Sequence, residues 1–394
     1  MDLISKFNVV HNINLQDFAD KLNFRWTPLI LILCATVISI KQYLMRPLAC
    51  YISHQVGGNG IDAYVENFCW IHGTYPIALN TQISHLQHSW NELNAIKVSY
   101  YQWIPFILGL QTILFTVPQL FWSMFIYNRT GVDLEQLIIL ASKAVNNVGK
   151  LRKNVVKHIV NVLDDMINCH RDYRTGKFAT YRRRLASCCF FFVPSKRLGS
   201  WLFLFYLFIK MLSIINVVGQ IFLMQTFLQM GNNYTHFGYD ILRDVIKGRD
   251  WQESLVFPRV TYCRVFLRHL SSNNNLFVQC TLPVNMISEK IYIFLWWYFI
   301  FVAILTSCSF LKWITLSSQK AALCFTKRLL KTGRLYGDGD NKIILHDFVR
   351  DFLQKDGLFL MRMFECNVGD IVTIRIACHL FKVYKNKRQN LNEP

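Results

Sequence analysis

The run YYQWIPFILGLQTILFTVPQLFW, Tyr100 to Trp122, decides the fold class. Three of its first four positions are aromatic (Tyr100, Tyr101 and Trp103, with Gln102 between), and no residue from Ile104 to Tyr127 is charged. A helix of about 20 residues crosses roughly 30 Å of hydrocarbon, so the run is long enough to span a membrane. Tyr and Trp at its start suit the membrane–water boundary, where a ring is half buried while its OH or NH stays wet. Pro105 costs little, because a first-turn proline removes an amide that had no helical partner. Pro118 lies deeper and frees a backbone carbonyl, which in a membrane needs another helix or a water-filled cavity.

The surrounding composition agrees. Of 394 residues 53% are hydrophobic and 15% aromatic, with a mean hydropathy of +0.24, high values for a soluble protein. Residues 1–26 carry Lys6, Lys21 and Arg25 but no apolar run long enough for a cleavable signal, so the first span is expected to serve as its own uncleaved signal. The hydropathy pattern predicts an all-α membrane protein with four transmembrane helices at 27–45, 103–127, 201–228 and 291–316. The apolar core of the first, Pro28 to Ile40, is short and runs directly into Lys41 and Gln42. It reads either as a buried soluble helix or as a span whose Lys41 snorkels or faces water in a pore. Segments 46–102, 128–200 and 229–290 are loops, 1–26 is an N-terminal segment, and 317–394 is a soluble tail. The middle loop reads as partly helical, over Leu134–Val148 and Val155–Ile167.

Charge distribution orients the spans. The net charge is +19, from 43 Lys+Arg against 24 Asp+Glu. Residues 46–100 hold two basic side chains, Arg46 and Lys97, and residues 229–290 hold seven, offset by five acids. Residues 128–200 and 317–394 hold fourteen each. Positive charge collects on the cytoplasmic side, which places both termini and the middle loop inside and the other two loops outside. The same distribution accounts for the basic balance as topology and contact with anionic membrane lipid, so no nucleic-acid partner is expected.

Twelve cysteines sort by this topology. Cys50 and Cys69 fall in one outer loop, Cys263 and Cys280 in the other. An even number in an oxidising space predicts disulfides, and four cysteines allow three connectivities that sequence does not separate. Their spacings of 19 and 17 residues are unlike the close pairs of zinc motifs, so no metal is expected. Two loops cross-linked to each other would form one stiff cap, suited to docking because preorganisation lowers the entropy lost on binding. The histidines are scattered, and H-E-x-x-H, G-x-S-x-G and a phosphate-binding glycine loop do not occur. No enzyme activity and no cofactor are expected.

The ordered motifs resemble one family. YYQW at 100–103 is joined by Asn67-Phe-Cys-Trp-Ile-His-Gly-Thr-Tyr75 and by Phe257-Pro-Arg-Val-Thr-Tyr-Cys263. Further along come Val278-Gln-Cys-Thr-Leu-Pro-Val-Asn-Met-Ile-Ser-Glu-Lys-Ile-Tyr-Ile-Phe-Leu-Trp296 and Asp356-Gly-Leu-Phe-Leu-Met-Arg-Met363. In this order they are similar to the signature segments of innexins, the invertebrate gap-junction proteins related to pannexins. Pro283 and the polar outer end of the first span depart from the usual pattern. The resemblance implies a plasma-membrane channel subunit in a ring of eight, homomeric or mixed with other innexins, around a wide pore for ions and small solutes. It implies a helical cytoplasmic dome and docking to a ring on the neighbouring cell through the two outer loops. It also implies the pairs Cys50–Cys280 and Cys69–Cys263, a pore mouth lined by Met1, Asp2, Leu3 and Ile4, and an outer vestibule near Lys41. An undocked release channel and a four-span adhesion or scaffold protein are the alternatives. Asn233-Tyr-Thr235 in the second outer loop is a candidate glycosylation site.

Overall fold

The computed structural model describes residues 17–52, 59–76, 98–130, 134–146, 149–169, 199–228, 238–239, 243, 246–247, 257–269, 272–335 and 342–392. In chain order the elements are α1 (Phe18–Leu44), β1 (Ala49–Tyr51), α2 (Asn59–His72), and a 3₁₀ turn (Tyr100–Trp103) leading into α3 (Ile104–Thr130). Next come α4 (Leu134–Asn146), α5 (Lys150–Cys169), α6 (Trp201–Phe227), β2 (Val260–His269), β3 (Ser272–Thr281) and α7 (Pro283–Leu316). The tail contributes α8 (Gln319–Thr332), α9 (Lys342–Asp347), a π-helical stretch (Phe348–Leu353), α10 (Gln354–Val368) and α11 (Asp370–Asn392). Four helices are long and apolar enough to cross a membrane: Phe18–Leu44, Tyr100–Ile126, Trp201–Phe227 and Pro283–Leu316.

Two of these helices begin well ahead of their apolar sequence. The first starts at Phe18, where hydropathy alone predicts a start at Thr27. Asp17 is its N-cap: its side chain accepts from the Phe18 N–H, and Asp20 reaches back to the Asp17 N–H to complete a capping box. Polar residues are tolerated in this first stretch because the partners described below satisfy them. The helix passes through π-helical segments at Leu22–Trp26 and Ile40–Leu44. The fourth begins at Pro283, eight residues before the predicted Ile291. A proline in the first turn fits the helix geometry. The polar residues behind it are also provided for: Asn285 donates to the Pro258 carbonyl at 3.0 Å, and the buried Glu289 lies 3.4 Å from Arg259. Pro118 sits inside α3 without ending it, and Pro105 occupies its second position.

The chain divides into two compact units. Residues Arg25–Thr116 and Ile215–Ala303 form one. It contains a three-stranded antiparallel sheet of order β1-β3-β2, so the all-α expectation holds for the spans but not for these loop segments. Val260-Thr-Tyr-Cys-Arg-Val-Phe is rich in β-branched and aromatic residues and alternates in burial, as a half-covered strand should. Thr261, Cys263, Val265, Val278 and Cys280 are buried, while Phe266, Phe277, Gln279 and Tyr51 are exposed.

Residues Met1–Phe24, Val117–Ile214 and Ile304–Pro394 form the other unit. Its core joins α4 and α5 of the middle loop to the tail helices, through Leu137, Ile138, Ile159, Val160, Phe348, Phe352, Leu380 and Phe381 among others. The stretch Gly357 to Phe364 on α10 is buried at every position, which explains why a helix outside the spans is so apolar. Just before it, Asp356 accepts the Phe203 N–H at 3.0 Å and gives its own N–H to the Gly199 carbonyl at 2.8 Å. One residue thus caps the Phe203 amide at the start of α6 and fastens the tail to it.

Gly199 has φ +60°, a conformation that costs an L-residue about 1–2 kcal/mol, and a Cβ there would collide with the Gln354 side chain. Gly199→Ala should therefore destabilise the detergent-purified chain by about 1–2 kcal/mol, seen as a lower thermal unfolding midpoint. Gly109→Ala, where nothing lies within 4 Å of the added carbon, should leave the midpoint unchanged or raise it.

Candidate functional site

Two constellations, one in each unit, bring the candidate residues together. The first is the cap formed by the loops that follow the first and third spans. β1 pairs with β3 so that Cys50 lies directly opposite Cys280, and these two form a disulfide. Cys69, fully buried on α2, is bonded to Cys263 on β2. The sulfurs of Cys50, Cys69 and Cys280 lie within 4.8 Å of one another, so the bridges are neighbours on the buried face of one sheet. All four sulfurs are used in disulfides. In chain-entropy terms, a closed loop of 230 residues removes about 5 kcal/mol from the unfolded chain. Backbone bonds between Tyr75 and Tyr262 tie the first loop to the hairpin again.

The Tyr100–Trp103 signature fastens this cap to the spans. Tyr101 is completely buried, its ring 4.8 Å from Trp70 of the first loop, and its carbonyl accepts from Gln42 of α1 at 2.6 Å. Gln102 donates to the Trp70 carbonyl. Tyr100 meets Phe227 and Phe257 edge-on, and Phe257 packs against Tyr292 of α7. Trp103 is exposed beside Phe106. Three of the four signature residues are therefore joints between loops and helices, and only Trp103 is placed as a membrane-boundary residue.

The second constellation lies in the other unit, around Lys210. This lysine is fully buried in α6. An isolated ammonium in such a place costs several kcal/mol, so it must be paired. It lies 3.0 Å from Asp20 and 3.6 Å from Asp17, and it donates to Ser309 Oγ at 2.6 Å. The two carboxylates outnumber the lysine, and neutral donors compensate. Ser309 donates to Asp17 Oδ2 at 2.7 Å, Trp313 Nε1 donates to the same oxygen at 3.2 Å, and the Tyr206 hydroxyl donates to Asp20 Oδ2 at 2.7 Å. Asn23 adds a bond to Thr306 at 2.7 Å. The start of α1 is thereby bound to α6 and α7 by polar contacts, and Phe24 adds an apolar one by joining the same core.

The sequence reading flags Lys41 but not this cluster. Lys41 is half-buried in the π-helical end of α1. Met1, Asp2, Leu3, Ile4 and Asn233 lie outside the described residues. Two signals of the missed cluster were present: a lysine in the middle of an apolar span, which demands a counter-charge, and the Asp17-x-x-Asp20 spacing of a capping box.

Burial alone pushes the Asp17 carboxyl up, but Lys210, Ser309, the Phe18 N–H and Trp313 together outweigh it and hold it below the usual carboxylate range. Such a group contributes its full stabilisation above its unfolded value, about 4, and loses it only as pH falls through the lower folded value. The destabilisation caused by Asp17→Asn, measured by thermal unfolding, should therefore be constant from neutral pH down to about pH 5 and shrink only below about pH 4. A loss already complete near pH 6 would contradict this assignment.

Comparison with known proteins matches this arrangement to one family. The innexin family model matches residues 16–384. The chain is 31% identical over 375 residues to innexin unc-9 of Caenorhabditis elegans, covering 95% of this chain and 93% of that protein. It is 32% identical to innexin-19 of Caenorhabditis briggsae, covering 94% and 87%, and 31% identical to innexin-19 of Caenorhabditis elegans, covering 94% and 84%. The chain belongs to the innexin family, the gap-junction channel proteins, and is a multi-pass protein of the plasma membrane.

Proposed function

We propose that this innexin chain assembles as a ring of eight, alone or with other innexins, and that its two outer loops dock against the ring of a neighbouring cell. In this reading 46–102 and 229–290 are extracellular, and 1–26, 128–200 and 317–394 are cytoplasmic. Met1 to Ile4 line the pore mouth, Lys41 faces the outer vestibule, and the pore passes ions and small solutes.

The observation that supports docking most directly is the two-sided sheet. Both disulfides lie on its buried face, while Tyr51, Phe266, Phe277 and Gln279 project from the other. Arg264 lies across the Phe266 ring at 4.6 Å and the Phe277 ring at 5.8 Å, which orders the open face before contact. A surface fixed in advance and carrying exposed aromatic rings loses little entropy on meeting a copy of itself.

Two apposed cells expressing only this chain should show junctional current. Cys263→Ser should abolish it with protein still at the contact. Phe277→Glu should abolish it while sparing currents in single cells, because a charge on the open face opposes docking without touching the pore. Undiminished junctional current in both variants would overturn docking through this sheet.

A further inference from the structure

Tyr206, Trp313 and Phe359 form a closed triangle of rings. Their centroids lie 4.9 Å apart for Tyr206–Phe359, 5.2 Å for Tyr206–Trp313 and 5.5 Å for Trp313–Phe359. They come from α6, α7 and the tail helix α10, and all three are buried. Two of the rings carry polar ends, and both ends are spent on the acids that start α1. The Tyr206 hydroxyl goes to Asp20, and the Trp313 N–H goes to Asp17. Phe359 has no polar end, so its contribution is to hold the other two rings in place. An amphipathic ring is fixed by both its apolar face and its polar edge. The position of Phe359 therefore sets where those two donors point.

The tail also grips α6 at a second place. Asp356, three residues before Phe359 on α10, bonds to the Phe203 N–H and the Gly199 carbonyl, and the Phe203 ring lies 6.0 Å from Phe359. A shift of α10 would move the Asp356 cap and Phe359 together. Close-packed interiors do not deform continuously, so such a shift repacks the ring triangle as a step. The cost would fall on the hydrogen bonds to Asp17 and Asp20.

We propose that Phe359 is a positioning residue through which the tail helix Gln354–Val368 sets the Asp17–Asp20 attachment of the first helix, and with it the opening of the channel. The proposal rests on the channel reading above, in which Met1 to Ile4 line the pore mouth. It assigns the cytoplasmic tail a regulatory role: whatever displaces α10 changes conduction without touching the pore lining.

Contiguity alone does not establish coupling, but a double-mutant cycle does. The conductance–voltage relation is measured in paired cells for the full chain, Phe359→Leu, Asp17→Asn and the double variant, each normalised to protein at the contact. Each single variant should shift the open–closed equilibrium by about threefold or more, and the double should depart from the product of the two by about twofold or more. A purely structural role would lower the amount of channel and leave this equilibrium alone. Multiplicative effects, or unchanged gating in Phe359→Leu, would overturn the proposal. If Phe359→Leu does not reach the membrane, Phe359→Met takes its place in the cycle. Tyr206→Phe keeps every ring and deletes only the hydroxyl, so normal gating in that variant also overturns it. Absence of current in the wild type would instead remove the channel reading itself, and the two failures are told apart by that control.

Discussion

The unit that holds the start of α1 and the tail depends on one electrostatic constraint: a lysine, Lys210, buried completely in an apolar helix. Its charge requires carboxylates, and α1 brings them by extending backward past its hydrophobic sequence, so that Asp17 and Asp20 arrive beside it. Their surplus negative charge in turn requires donors, supplied by Ser309 and Trp313 from α7 and Tyr206 from α6. The rings of Tyr206 and Trp313 then need apolar cover, which Phe359 of the tail provides. One buried charge thus explains why three helices and the tail meet where they do. Such a network adds little net stability over an apolar core, but it leaves a large penalty for any arrangement that separates its members.

The loops after the first and third spans are organised mainly by covalent bonds. Cys50, Cys69, Cys263 and Cys280 gather segments far apart in the chain onto the buried face of one small sheet. The sheet has three strands, one of them only three residues long. The bridges free its other face to carry exposed aromatic residues, which a sheet stabilised only by packing would have to cover.

Much of this was legible in the sequence. The four spans follow from hydropathy, the sorting of cysteines follows from charge asymmetry, and the motif order points to the family. What escaped reading has physical causes. Helix starts at Asp17 and Pro283 are set by polar partners distant in sequence, Lys210 and Ser309 for one and Pro258 for the other, which no local window contains. The strands Val260–His269 and Ser272–Thr281 lie beside spans whose hydropathy dominates the reading. Tyr101 reads as a boundary residue from composition, but its partners, Trp70 and Gln42, come from the first loop and the first helix, and Gln102 also bonds to Trp70, which turns the signature into a joint.

The most direct test of the central claim compares thermal unfolding of the detergent-purified full chain for Lys210→Met alone and for Lys210→Met combined with Asp20→Asn. Removing only the lysine strands the buried Asp20 carboxylate and the partly buried Asp17 carboxylate, so the single variant should lose about 3–5 kcal/mol of stability. The double variant removes one of those charges with it and should recover most of that loss, because the site returns to the net charge of the wild type and the remaining carboxylate, Asp17, keeps its donors Ser309 and Trp313. A Lys210→Met protein as stable as the wild type, or a double variant worse than the single, would contradict the account.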